Sequence, residues 1–242
     1  MNTLKHLLTT AMIAATTASF AQSTTVTITT DSTSSTSSTQ ITRTRSRHYA
    51  RVTSDFGIYI GLNNFGSSLP ANYELSPIGS RFVALSWQKR IPIAVNGSTK
   101  LRLITGPEVA WNNFMFVDRN MFVAQNGQVG VEAASVDLHR SKLVTTQLNL
   151  PVMLNLSLRS GFSWSLGAYA GMRLDSYTKV KPEGGAAVRN HNSYNLNPIR
   201  WGLTTELGFR GDAKLFFRYE PNSPFRSGQG PDTSVWAVGI KL

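Results

Sequence analysis

The sequence predicts an all-β fold: an eight-stranded antiparallel transmembrane β-barrel, preceded by an export leader and a linker. Three observations carry that reading. Apolar and polar residues alternate with a period of two over most of the chain beyond residue 51, as strands with two unlike faces require. The gaps between the alternating segments are by turns long and short. No uninterrupted apolar run reaches the ~18 residues of a spanning helix, which excludes a polytopic helical membrane protein.

Residues 1–21 read as a cleavable signal peptide. Lys5 and His6 give a short basic start, 7–18 is small and apolar, and Ser19-Phe20-Ala21 places small residues before a cut at Gln22. Residues 22–48 are Ser/Thr-rich and end in Arg43, Arg45 and Arg47. Such a tract lacks apolar surface to offset chain entropy and is expected to be a disordered linker. Within it, Asp31-Ser32-Thr33 is similar to an O-glycosylation triplet of some Gram-negative phyla. Residues 49–242 make up the barrel. The chain has no cysteine, so disulfides, thiolate metal sites, cysteine nucleophiles and a lipoprotein anchor are excluded. A formal net charge of +11 would invite a nucleic-acid reading, but export turns it toward membranes, cell wall and exported proteins.

The strands follow in order. Phe56, Ile58, Ile60 and Leu62 alternate with Gly57, Tyr59 and Gly61. Val83, Leu85 and Trp87 alternate with Ala84, Ser86 and Gln88. Leu101, Leu103, Val109 and Trp111 stand against Arg102, Gly106, Glu108 and Ala110. The stretch 144–158 is apolar at its even positions except Thr146, with Thr145, Gln147, Asn149 and Asn155 between. Phe162, Trp164, Leu166, Met172 and Leu174 oppose Ser163, Ser165, Gly167, Tyr169, Arg173 and Asp175. Trp201, Leu203, Leu207 and Phe209 oppose Arg200, Thr204, Glu206 and Arg210. Leu215, Phe217 and Tyr219 oppose Lys214, Arg218 and Glu220, and Trp236, Val238 and Ile240 oppose Ala237, Gly239 and Lys241.

Alternation alone does not say which face points outward. Small residues crowd the polar face, as a narrow interior demands. Aromatics gather near strand ends, as interfacial girdles do. Long gaps at 63–79, 112–141, 179–194 and 221–232 alternate with the Asn96-Gly97 turn signal and the short links 159–161 and 211–213. Long loops on one rim and short turns on the other are the outer-membrane pattern, with both chain ends in the periplasm.

With its signal, its eight strands, its closing strand 234–242, and Phe217-Arg218-Tyr219 followed by Gly228-Gln229-Gly230-Pro231, the chain resembles the small outer-membrane barrels of the porin-family or PorT-like type. It ends in Leu242 rather than the terminal Phe frequent in outer-membrane proteins. The resemblance implies an outer-membrane location in a Gram-negative envelope and, for PorT-like members, association with a secretion apparatus. It brings no catalytic signature.

The expected function is therefore a non-enzymatic structural or accessory component of the envelope, without cofactor or metal. Two alternatives are a lipid-modifying hydrolase and a small-solute pore. A hydrolase would draw on His139-Arg140-Ser141 or His191-Asn192-Ser193, with Asp137 or Glu183 as orienting acid. Both triplets fall in or beside outer loops expected to be flexible, where ordinary loop histidines are the simpler account. Arg102, Glu108, Arg173, Asp175, Glu206, Arg210, Arg218 and Glu220 share the inward parity, so a lumenal ion-pair network is expected, since buried charges must pair. A three-residue turn at 211–213 would set Glu206 opposite Arg218. The outer loops look nearly neutral. Lys89, Arg90, Lys100, Arg159, Lys214 and Lys241 form an expected periplasmic basic ring. That ring would anchor lipid headgroups or dock an acidic periplasmic protein or cell-wall carboxylates. Outer-membrane lipids are the first expected partner, and nucleic acid is not expected.

Overall fold

β-Branched and aromatic residues in alternation favour extended backbone, because each pleated face then meets its own medium. The computed structural model describes residues 51–66, 69–125 and 127–242. In them the alternation becomes twelve strands: β1 (Thr53–Phe65), β2 (Arg81–Asn96), β3 (Thr99–Thr105), β4 (Glu108–Phe116), β5 (Asn120–Gln125), β6 (Gln128–Ala133), β7 (Leu138–Ser157), β8 (Phe162–Pro182), β9 (Val188–His191), β10 (Ile199–Phe209), β11 (Lys214–Glu220) and β12 (Val235–Lys241). Among the described residues there is no α-helix, only one short 3-10 turn at Ala71–Tyr73. The leader, the Ser/Thr tract and the Asp31-Ser32-Thr33 triplet lie outside the described residues.

Ten strands form one large antiparallel sheet containing a ring of eight. Around the ring run β1, β2, then β3 and β4 end to end, β7, β8, β10, β11 and β12, which pairs with β1 again. β3 and β4 act as one wall, since both pair with β2 on one side and β7 on the other. Gly106-Pro107 separates them. Proline has no N–H for the ladder, and Pro107 O accepts from Trp87 N at 2.9 Å instead. Gly106 sits at φ +152°, with Trp87 O only 2.0 Å from where a Cβ would lie, so a glycine is needed for the chains to approach. β9 extends the wall beside β8, and β5–β6 is a separate hairpin.

Side chains sort by parity around this ring. The apolar set faces outward: Leu150 is 55% exposed, Leu154 52% and Leu203 50%. The polar and small set faces inward and is buried, including Ser86, Gln88, Glu108, Gln147, Thr204 and Glu206. The start of β1 and the end of β12 lie together, with Leu242 N donating to Ile58 O at 2.8 Å. The same rim carries the connections 97–98, 158–161 and 210–213, and the opposite rim carries 66–80, 117–137, 183–198 and 221–234.

Each long connection sends apolar residues into a shared cluster, while the stretches around His139 and His191 stay exposed. Phe122 stacks on Phe116 at 5.9 Å and on Phe225 at 5.6 Å, and meets Tyr194 edge-on at 5.8 Å. Phe65 stacks on Phe114 at 4.8 Å. With Leu75, Val129, Val131, Leu143, Leu196 and Val235 these rings form one buried apolar cluster across the loop end of the ring.

Two registers differ from the sequence reading. In β10–β11, Glu206 faces Phe216 and Arg218 faces Thr204, so Glu206 and Arg218 are not opposed. The cause is Arg210, whose backbone is left-handed at φ +43°. It leaves the ladder, donating its N–H to Gly161 O at 3.0 Å, and the connection spans more residues than a tight turn. In β7–β8, Thr146 faces Asp175 while Gln147 faces Arg173, so Leu174 is an extra residue. Such a bulge flips the parity of everything beyond it. Arg173 therefore keeps the inward register and Asp175 turns outward.

Candidate functional site

The interior of the ring holds the densest chemistry of the described residues. Arg218, from β11, is buried at its centre. Its two terminal nitrogens each donate to a carboxylate oxygen of Glu108 on β4 at 2.6 Å. Asn149 on β7 donates to the same carboxylate at 3.1 Å. The guanidinium also lies over the rings of Tyr59 at 4.8 Å, Phe82 at 5.0 Å, Tyr169 at 5.2 Å and Phe216 at 5.9 Å. A planar, weakly hydrated guanidinium suits such a site, combining a bidentate carboxylate with aromatic faces.

Glu206, on β10, is the second centre. It accepts from Lys241 Nζ at 3.2 Å, from Lys214 Nζ at 3.4 Å and from the Tyr59 hydroxyl. Lys241 also donates to Gln88 Oε1 at 2.6 Å, and Gln88 donates to the Tyr59 hydroxyl at 2.8 Å. The third centre is Glu220, which pairs with Arg200 and accepts from the Tyr169 hydroxyl at 2.8 Å. Every wall of the ring thus contributes a side chain, from Tyr59 on β1 to Lys241 on β12. Three carboxylates and four cations, all buried, brace the walls against one another.

Of the residues expected in this network, Glu108, Glu206, Arg218 and Glu220 lie within it, though Glu206 and Arg218 take different partners. Arg102 is half-buried with inward parity and makes no ion pair among the described residues. Arg173 donates to Ser176 Oγ at 2.8 Å. Asp175 is outside, on His191 Nδ1 at 3.2 Å, for the reason the bulge gives. Arg210 is exposed and donates to Ser160 O at 3.2 Å. The network also includes Arg200, Tyr59, Tyr169, Gln88 and Asn149, all of inward parity, the signal that could have found them.

The basic ring is smaller than expected. Lys214 and Lys241 stand at the short-turn end as expected but turn inward and are buried on Glu206, so they are not part of an exposed ring; their own parity already pointed inward. Arg90 pairs with Asp55. Lys89, Lys100 and Arg159 remain at the short-turn rim without a carboxylate partner among the described residues.

Neither histidine–serine triplet is assembled. His139 is exposed while Ser141 is buried, and His191 bonds Asp175 rather than Ser193. Among the described residues no three His, Asp or Glu side chains gather as a metal site. What the interior can do chemically is brace: its carboxylates are held by cations and hydroxyls. No protein-family model matches the chain, and no curated protein sequence matches it.

Proposed function

We propose that the chain is a non-enzymatic outer-membrane protein, its ring a closed transmembrane β-barrel with an ionic plug for a lumen and a structural or accessory role in the envelope. The observation that carries this reading is the sidedness of the ring. Large apolar side chains such as Ile60, Leu150, Leu166, Leu203 and Leu215 face outward, while Glu108, Glu206 and Arg218 face inward. In water such a surface would expose far more contiguous apolar area than a soluble monomer carries. In lipid it is the required arrangement, with every ladder group of a closed sheet satisfied. Long loops on one rim and both ends of the described chain on the other favour the loop end as the cell exterior.

The pore alternative must contend with an interior crossed by ion pairs and aromatic rings, and the hydrolase alternative with histidines that do not reach their serines. The resemblance to PorT-like proteins makes a secretion assembly the first place to seek a partner.

The test is folding into neutral lipid vesicles, read by heat-modifiable gel mobility and by protease protection of the strands. Leu150→Arg should impair folding by about 2–4 kcal/mol if that position lies near the bilayer midplane. A chain that is soluble and monodisperse without detergent would overturn the reading.

A further inference from the structure

Five cations of the loop end are gathered on one wall. On the outward face where β7, β8 and β9 run side by side, Arg140 faces Lys181, Lys142 faces Lys179, and Lys179 faces Arg189. Arg81 joins them across Asn113, which pairs with Arg81 and accepts from Lys142 Nζ at 3.0 Å. Lys179, Arg140, Arg189 and Arg81 all act electrostatically on Lys142. Like charges directly opposed in a sheet destabilise it, yet none of these six has an ion-pair partner among the described residues. The nearest acids are committed or peripheral. Asp175 is on His191, Asp137 is on Arg119 at 3.5 Å, and Glu183 lies beyond the last pair of the wall, its N–H on Asp137 O.

The patch follows from a feature of the fold. Without the extra residue Leu174, Lys179 and Lys181 would keep the inward parity of Arg173; the bulge turns both outward, beside Lys142 and Arg140. Arg189 is held by stacking on Tyr177, its guanidinium carbon 4.6 Å from the ring centre. Along the same two strands the patch gives way to the outward apolar residues Leu148, Leu150 and Met172. In the barrel reading, on which this inference rests, that height is where lipid headgroups sit.

We propose that this wall docks a lipid whose headgroup carries two or more phosphates. Three adjacent strands spaced about 4.8 Å apart spread the five central cations over roughly 10 Å. That span suits several phosphates on one sugar-sized headgroup better than a single phosphodiester. Arginine offers forked donors to phosphate oxygens and lysine offers point charge.

The test uses the full chain in phosphatidylcholine nanodiscs, with native mass spectrometry reading retained lipid. The probes are diphosphorylated lipid A, its dephosphorylated form and phosphatidylglycerol. Diphosphorylated lipid A should be retained at least tenfold over the other two. Retention should fall about tenfold in the triple variant Lys142→Gln, Lys179→Gln, Arg189→Gln and with raised salt. The triple variant Lys89→Gln, Lys100→Gln, Arg159→Gln at the other rim should retain the lipid fully. All three chains should insert equally into neutral discs. Insertion with equal retention of all three lipids, or with no effect of the first triple variant, overturns the docking site alone. Capture of an acidic protein in place of lipid by this wall overturns it too. Failure to insert into neutral discs overturns the barrel reading and the docking site with it.

Discussion

The body of the ring and its loop end are filled by opposite chemistry. In the body, walls lean on each other through Glu108–Arg218, Glu206 with Lys214 and Lys241, and Arg200–Glu220. At the loop end, Phe65, Phe114, Phe122, Tyr194 and Phe225 exclude water by stacking. A narrow ring whose outer face is already apolar gains little by an apolar interior, but its interior charges must then be paired one by one. The loops have no such constraint and bury rings as a soluble core does. Failure in the first region should therefore loosen the whole ring, and failure in the second should open the loops alone.

The sharpest way to break this comparison is Arg218→Met. It strands Glu108 in the interior and should destabilise the ring by about 3–5 kcal/mol, measured by urea unfolding of the chain in lipid vesicles. Adding Glu108→Leu should restore part of the loss, because no unpaired charge remains. Next comes Phe122→Ala, worth about 3 kcal/mol at a buried ring position. Here hydrogen exchange over 117–137 should rise sharply while the unfolding midpoint of the ring barely moves. Glu206→Gln ranks third, at about 2 kcal/mol, since charged hydrogen bonds to Lys214 and Lys241 are weakened but a neutral acceptor remains. The smallest effect belongs to Asp55→Asn, whose pair with Arg90 is partly exposed and should contribute less than about 1 kcal/mol in the same unfolding assay. If Phe122→Ala shifted the ring as far as Arg218→Met does, the two regions would be one cooperative unit and the distinction would fall.

The two regions also differ in how far they can be read from sequence. Period two places Tyr59, Gln88, Glu108, Glu206 and Arg218 on one face without any structure, because parity is a local property of a strand. Partner choice is not local. It depends on register, and one left-handed residue, Arg210, moves β11 enough to give Arg218 to Glu108 instead of Glu206. The extra residue Leu174 likewise turns Asp175 outward, and nothing in the alternation announces it. The aromatic cap is periodic only where it draws on strands, as at Phe114 and Phe116; its loop members carry no such signal. Phe122, Tyr194 and Phe225 sit in three separate connections, and only the closed ring brings those connections together.

The central claim is the sidedness of the ring, and the native tryptophans test it without substitution. Trp87, Trp164 and Trp201 are 63%, 43% and 44% exposed on the outward face, and Trp111 and Trp236 share its parity, half-buried. In vesicles of brominated phosphatidylcholine their fluorescence should be strongly quenched by the lipid and nearly untouched by aqueous iodide. Quenching by iodide with none from brominated lipid would mean that the apolar face does not meet the bilayer, and would contradict the account.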